Sequence, residues 1–379
     1  MEQANSINIK QKQLNLGITY RELGVFLLFF FLNLKFISIT VIQDRSFVID
    51  AITYLLLIIT FNYPNWTYKS LTITGVLICI YTLINFSAYK LNVLMPLLII
   101  QAVSGIRFNR YLGISFLITT LTLVIMFIIN GEGVNMAGYS FLIDRKTRMS
   151  FGFNHPNVAA LYYYCFLING LLLLYFSKYK KHISLYMLLM IPLWLYIYQK
   201  TASRSFLLSI IALYGAYSYY YLGSIINRKS LLNITQYIIS SLALFFTVLT
   251  VYFAINSDKF LTVDMLLSKR LTYYDRFLNT IDLKSFFFGA NTYGDFVIDS
   301  SYIHLLFEGG ILFFIGFCTF YLLSTIQMVE KKAWLPICVI ISFLCYGLME
   351  SLLLYSMLIG TNIFWILLYF YYRKGKMQL

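Results

Sequence analysis

Asp299-Ser300-Ser301-Tyr302-Ile303-His304-Leu305-Leu306-Phe307-Glu308-Gly309-Gly310 leads directly into an apolar run that reaches Met328 without another charge. A helix needs about 20 largely apolar residues to cross the hydrocarbon core of a bilayer. The stretch therefore reads as a membrane span over residues 301–328. Its first turns carry His304 and Glu308, four apart and on one helical face. Ionisable side chains inside a span are costly, which makes them candidates for function. The competing reading is that the two pair with each other and only stabilise the helix.

The rest of the chain extends this reading. Of 379 residues, 60% are hydrophobic and 12% charged, and the mean hydropathy is +0.75. A soluble protein is about half apolar and a quarter charged. Aromatics reach 19%, with 33 Tyr and 34 Phe, and there are only five prolines. This excludes a disordered chain, a collagen-like repeat and a disulfide scaffold, and it argues against a soluble two-domain enzyme. Twelve spans are predicted near 22–43, 47–62, 70–89, 91–106, 111–130, 156–176, 183–199, 205–226, 234–256, 301–328, 333–352 and 356–372. The first follows a polar segment and is too long for a cleavable signal, so it reads as a retained span. The five cysteines lie in apolar runs with no CxxC pair, and read as core or lipid-facing residues.

Charge then assigns sides. On the twelve-span reading, Lys10/Lys12/Arg21, Lys69, Arg107/Arg110, Lys178/Lys180/Lys181, Arg228/Lys229, Lys331/Lys332 and Arg373/Lys374/Lys376 share one side. That side holds 16 Lys/Arg and 3 Asp/Glu against 12 and 11 on the other, a balance of +13 to +1. The net charge of +14 thus reports orientation in a lipid bilayer, not a nucleic-acid partner. The expected fold is an all-α polytopic membrane protein of about 12 transmembrane helices, one transmembrane domain over 1–379 with both termini cytoplasmic. Two enlarged loops are expected outside, at 131–155 and 257–300. Loops of the second one's length in compact proteins are usually functional.

The outer loops concentrate the polar groups. Asp144-Arg145-Lys146-Thr147-Arg148 leads to Phe151-Gly152-Phe153-Asn154-His155-Pro156-Asn157. Pro156 suits a first helical turn with Asn154 as its cap, which puts His155 and Asn157 at a helix start. They read either as a capping turn or as a polar cluster facing an outward cavity. Thr201-Ala202-Ser203-Arg204-Ser205 opens another span with Arg204 among hydroxyls. Such an arginine either snorkels or clamps phosphate oxygens. In Lys269-Arg270-Leu271-Thr272-Tyr273-Tyr274-Asp275-Arg276-Phe277, helical spacing predicts an amphipathic surface segment. The Phe288-Gly289-Ala290-Asn291-Thr292-Tyr293-Gly294 turn permits close backbone approach but has no Lys-Ser/Thr after it, which argues against a nucleotide loop. Three histidines, no HExxH and no outer DxD give no metal site, and no GxSxG elbow is present.

In order and spacing these pieces resemble the Wzy-type polysaccharide polymerases and the related O-antigen ligases. The resemblance rests on Phe151–Asn157, Ser203-Arg204, Arg270 with its aromatics and Phe288-Gly289, and Asp299-Ser300-Ser301-Tyr302 with Glu308-Gly309-Gly310. It covers roughly residues 140–320. It implies a glycosyltransferase C-like protein with its cavity outside, transferring glycan from an undecaprenyl-diphosphate-linked donor to an acceptor without metal, nucleotide sugar or other cofactor. Arg204 and Arg270 would hold the diphosphate and Asp299 would complete the catalytic set. Arg148, His155, Asn157, Tyr273, Arg276, His304 and Glu308 would contact substrate. Ser300 stands where polymerases of this type often carry Asn, while the Asp itself leans towards polymerase over ligase. The implied partners are a chain-length regulator and a flippase of the same pathway. A lipid-linked oligosaccharide flippase is the alternative from another class, although related halves and short loops on both sides would then be expected.

Overall fold

A computed structural model describes residues 19–38, 47–60, 91–130, 141–143, 146–153, 155–226, 229–290, 298–354 and 359–373. The described chain is a helical bundle with one short hairpin. Its elements are α1 (Tyr20–Ile37), α2 (Phe47–Thr60), α3 (Leu91–Val103), α4 (Phe108–Asn130), β1 (Phe141–Ile143), β2 (Lys146–Arg148), α5 (Pro156–Tyr175), α6 (Ile183–Thr201), α7 (Arg204–Ile226) and α8 (Lys229–Ile255). Then follow α9 (Leu261–Leu266), α10 (Arg270–Leu278), α11 (Leu283–Phe288), α12 (Gly310–Glu330), α13 (Trp334–Gly347) and α14 (Ile359–Tyr372). Among the described residues, six helices are long and apolar enough to cross a membrane: α4 to α8 and α12. The protein is thus a multi-pass helical membrane protein. The span expected at 70–89 lies outside the described residues, as do residues 131–140 of the first loop.

Helices are the natural solution here because a bilayer offers no water to backbone N–H and C=O groups. Within the bundle, α5 is the central element. Two-thirds of its span (67%) is buried, against 22% for α6 and for α7. The outward leucines of α6, such as Leu188 and Leu189, are exposed, as a lipid-facing surface requires. Polar groups tie the helices together. The Tyr302 hydroxyl donates to the Leu344 carbonyl at 2.7 Å and that of Tyr321 to Ile239 at 2.7 Å. Tyr186 reaches Leu167 at 3.1 Å, and Ser342 reaches Ser209 at 2.7 Å. Lipid drives helices together only weakly, so such bonds and close packing carry much of the specificity.

Two expected spans are shorter than their apolar runs. The run 301–328 is not one α-helix. Ser301–Ile303 starts a turn, His304–Glu308 is π-helical, and regular helix resumes only at Gly310. The physical reason is the end of α11. Gly289, at φ +95°, lies so close to Glu308 that a Cβ would stand 2.2 Å from its carbonyl oxygen. The Ala290 N–H takes the Phe307 carbonyl at 2.6 Å, removing it from the helical ladder. The run 333–352 ends as helix at Gly347. Beyond it the Ser301 hydroxyl donates to the Glu350 carbonyl at 2.6 Å and accepts from the Leu353 N–H at 3.1 Å. That single hydroxyl draws residues 349–353 across the start of the π-turn.

The two long connections are structured where described. In the first, Phe141 pairs with Arg148 and Ile143 with Lys146 in an antiparallel hairpin, a β element the all-α expectation omitted. In the second, α9, α10 and α11 follow one another, and α10 buries Leu271, Tyr274 and Phe277. This is the amphipathic helix expected there, with one face seated on the bundle.

Candidate functional site

Six segments meet at one end of the bundle: the exit of β2, the start of α5, the α6–α7 turn, the start of α10, residue 299, and residues 349–350. At the α6–α7 turn Ala202 takes a left-handed conformation, φ +48°, and closes α6 with a hydrogen bond from its N–H to Tyr198 O. The carbonyls at the end of α6 then serve the hairpin. The Met149 N–H donates to Lys200 O at 2.8 Å, and Arg148 Nε to Thr201 O at 2.6 Å. Arg148 is therefore held by backbone, and its Nη2 is directed onto Asn157 Oδ1 at 2.7 Å.

The cap of α5 differs from the sequence expectation. His155, not Asn154, is the N-cap: its Nδ1 accepts the Asn157 N–H at 3.1 Å. Asn154 lies outside the described residues. Burial pushes the His155 imidazole down to about 4, with the Arg148 charge adding to the effect and Asp299 opposing it. At neutral pH the ring is neutral, and its proton is on Nε2 because Nδ1 is an acceptor.

Arg270 begins α10, and its approach is strained. Ser268 and Lys269 both have positive φ, +59° and +62°, a region that non-glycine residues occupy infrequently. Asp264 holds the turn. Its Oδ1 accepts the N–H groups of Leu271 and Thr272 at 2.7 and 3.3 Å, and its Oδ2 accepts the Thr272 hydroxyl. The guanidinium so positioned donates through Nη1 to the Met349 carbonyl. Its Nη2 lies 3.0 Å from Asp299 and 3.6 Å from Glu350. Burial works against the Arg270 charge, but Asp299 and Glu350 overcome it and raise its pKa.

Glu350 is the residue that sequence reading missed. Asn157 Nδ2 donates to its Oε1 at 2.7 Å, and the Ser205 hydroxyl lies 3.4 Å from the same oxygen. Arg270 approaches Oε1 as well, so Oε2 makes none of these contacts. Because α13 ends at Gly347, Glu350 stands in the turn beyond the span. Burial pushes its carboxyl up to about 7, against the opposing pull of Arg270. Its sequence signal was an acid in the otherwise apolar stretch Leu348-Met349-Glu350-Ser351-Leu352, a clue of the same kind as Glu308.

Other predicted site residues stand in different relations to this cluster. Arg204 opens α7, exposed, and near enough to Arg148 that its charge opposes the Arg148 charge; burial is the larger influence lowering Arg148. Tyr273 is half-buried on α10 and Arg276 is exposed. The buried hydroxyl-bearing neighbour on α10 is Tyr274, whose phenol is raised by burial, with Arg270 opposing and Asp299 reinforcing. His304 and Glu308 form a separate sealed pair. His304 Nδ1 lies 2.7 Å from Glu308 Oε2, and Nε2 lies 2.8 Å from Ile298 O. Through Ile298 this pair fixes the backbone immediately before Asp299. Asp144, Arg145, Asn291, Thr292, Tyr293 and Gly294 lie outside the described residues.

Three guanidiniums, Arg148, Arg204 and Arg270, thus surround two carboxylates, one of which is only partly ionised at neutral pH. The cluster retains net positive charge. It suits an anion bearing several oxygens, next to a carboxylate able to exchange a proton near pH 7. In comparison with known proteins, no family model, no curated protein and no solved structure matches the chain.

Proposed function

We propose that the protein is a membrane-embedded glycosyltransferase that joins undecaprenyl-diphosphate-linked oligosaccharide repeat units outside the cytoplasmic membrane, building a capsular or other surface polysaccharide. The observation that carries this reading is the cluster of Arg148, Arg270, Asp299 and Glu350 at one end of an apolar bundle, with Arg204 beside it. The positive-inside balance in the sequence supports an outer location for that end.

In the proposed step, a sugar hydroxyl of the acceptor attacks the anomeric carbon of the donor, and the bond from that carbon to the diphosphate oxygen breaks. The glycosidic bond forms, and the diphosphate leaves on its lipid with an added negative charge. Guanidiniums fixed in advance stabilise this charge as it develops. Arg270 is the central one, since two carboxylates and a carbonyl fix its plane. The hydroxyl proton passes to a carboxylate. Glu350 fits that role, with a carboxyl near 7 and its contacts to Asn157, Ser205 and Arg270 all made through Oε1, because a base titrating near the working pH is the most effective. Asp299 then serves to orient Arg270, a narrower part than the catalytic one the resemblance implies. Attack opposite the diphosphate inverts the anomeric centre.

The test is a gel of lipid-linked and released glycans from cells carrying Arg270→Ala, Asp299→Ala or Glu350→Gln, beside wild type and a deletion, with membrane levels checked. Single repeats accumulating on lipid outside, with no polymer ladder, are expected. A full ladder that persists on lipid without reaching its final acceptor would replace polymerase by ligase. Repeats trapped on the cytoplasmic side would replace it by a flippase.

A further inference from the structure

The opposite end of the bundle carries a second cationic cluster that the proposed reaction does not use. That it is the opposite end follows from the packing. Asn109, at the start of α4, donates to the Phe176 carbonyl just past the end of α5 at 3.2 Å. Phe108 stacks on Phe370 near the end of α14 at 4.6 Å. The end of α5 lies a full span from His155.

Arg21, in the first turn of α1, crosses to the α3–α4 turn and lays its guanidinium on Gly105. A Cβ at that position would stand 1.6 Å from Arg21 Nη1, so the glycine provides the seat. With Nη1 placed there, Nε and Nη2 are buried and, among the described residues, have no hydrogen-bond partner. These two N–H groups lie on one edge of the guanidinium and point in parallel. They are the pair that grips two oxygens of a single phosphate or carboxylate. Buried donors are almost always satisfied, and two orphans on the same edge define the shape of the missing acceptor.

The surroundings favour an anion of more than one charge. Arg107 and Arg110 follow Gly105 directly and are exposed. Arg373 lies over the Tyr369 ring at 5.5 Å, and Arg21 and Ser104 are near the Tyr369 hydroxyl. The nearby acid is Glu22, already occupied: its Oε2 accepts the Thr19 N–H at 2.9 Å, and its Oε1 is 3.9 Å from Arg110. Among the described residues, four guanidiniums gather here against one carboxylate. The geometry points to a phosphate-binding site at Arg21, seated on Gly105 and ringed by Arg107, Arg110 and Arg373, at the end of the protein away from the glycan site. The phosphate comes from an anionic lipid headgroup or from a soluble phosphate. This inference stands whether or not the transferase reading does.

The experiment uses the full chain purified in mild detergent, as wild type, Arg21→Lys, Arg21→Gln and Lys181→Gln. Lys181→Gln removes an exposed charge elsewhere and controls for general electrostatics. Native mass spectrometry measures retention of phosphatidylglycerol against phosphatidylcholine, and thermal unfolding is followed with and without millimolar inorganic phosphate. Arg21→Lys keeps the charge and loses the fork, so retention of phosphatidylglycerol should fall about tenfold, with Lys181→Gln unchanged. If phosphatidylglycerol retention ignores Arg21 while inorganic phosphate stabilises wild type but not Arg21→Lys, the site takes soluble phosphate. If the Arg21 variants match wild type in both assays, or Lys181→Gln loses as much as they do, the site does not exist.

Discussion

Two ionic arrangements draw on the single stretch Asp299–Glu308, and they are built to opposite ends. In the pair His304–Glu308 both side chains are almost wholly sealed, at 3% and 1% exposure. In the cluster of Arg270, Asp299 and Glu350 the side chains keep 21%, 29% and 20%. His304 Nδ1 faces Glu308 Oε2 at 2.7 Å, and its Nε2 faces the Ile298 carbonyl at 2.8 Å. Each member has a partner and substrate has no approach. In the open cluster one guanidinium serves two acids and a carbonyl, and the described contacts of Glu350 all fall on one carboxylate oxygen. The difference teaches that the presence of an ionisable residue in an apolar run marks a constraint, and that accessibility decides whether the constraint is chemical or architectural.

The largest expected effect breaks the comparison on activity. Arg270→Ala should lower transfer per folded molecule by about 10²–10³-fold, as loss of a fixed charge stabiliser does. Arg270→Lys should rescue little, because an ammonium cannot span Asp299, Glu350 and the Met349 carbonyl at once. His304→Ala should instead cost stability, by about 3–5 kcal/mol, since it strands a buried acid. Thermal unfolding in detergent and a transfer assay normalised to folded protein separate the two. Equal losses of normalised transfer would erase the distinction between the sites.

The next effect is on pH. The Glu350 carboxyl lies near 7, raised from 4.5 by burial, so transfer should rise with pH through about 7 as the base becomes ionised. Glu350→Gln should remove both the transfer and that limb of the profile. Stability should run the other way. The folded carboxyl binds its proton more tightly than the unfolded one, so its contribution is fully present below about pH 4.5 and is lost as pH rises through 7. A shift of this size corresponds to roughly 3 kcal/mol. Glu350→Gln should therefore flatten the fall in stability between those limits, which pH-resolved unfolding reads directly.

The same contrast marks how far the sequence could be read. Hydropathy found the multi-pass helical architecture, because the bilayer leaves the backbone few choices. Helical spacing found α10, whose Leu271, Tyr274 and Phe277 seat it on the bundle. The polar runs located Arg148, Asn157, Arg270 and Asp299, which the fold brings together. What escaped was set by contacts distant in sequence. Glu350 joins the cluster because the Ser301 hydroxyl pulls on its carbonyl, 49 residues away. The π-turn at His304–Glu308 exists because Gly289 and Ala290 press against Glu308 and Phe307. The cap on α5 moved from Asn154 to His155, since either type has a side-chain acceptor and the turn geometry chose.

The smallest effect tests whether the open cluster depends on its supports as the sealed pair does. Asp264 is buried and touches none of the candidate site groups directly. It holds the N–H groups of Leu271 and Thr272, which places Arg270 at the start of α10 after two residues of positive φ. Asp264→Ala removes a helix cap and should cost about 1 kcal/mol of stability. If Arg270 were held by its carboxylate partners alone, normalised transfer would stay at the wild-type level. If the strained turn positions it, transfer should fall about tenfold while the pH midpoint near 7 stays in place, because Glu350 keeps Asn157 and Ser205. Asp264→Asn, which retains one acceptor oxygen for the two N–H groups, should recover most of the loss. A midpoint that moved with Asp264→Ala would mean that the turn sets the environment of Glu350 as well as the place of Arg270.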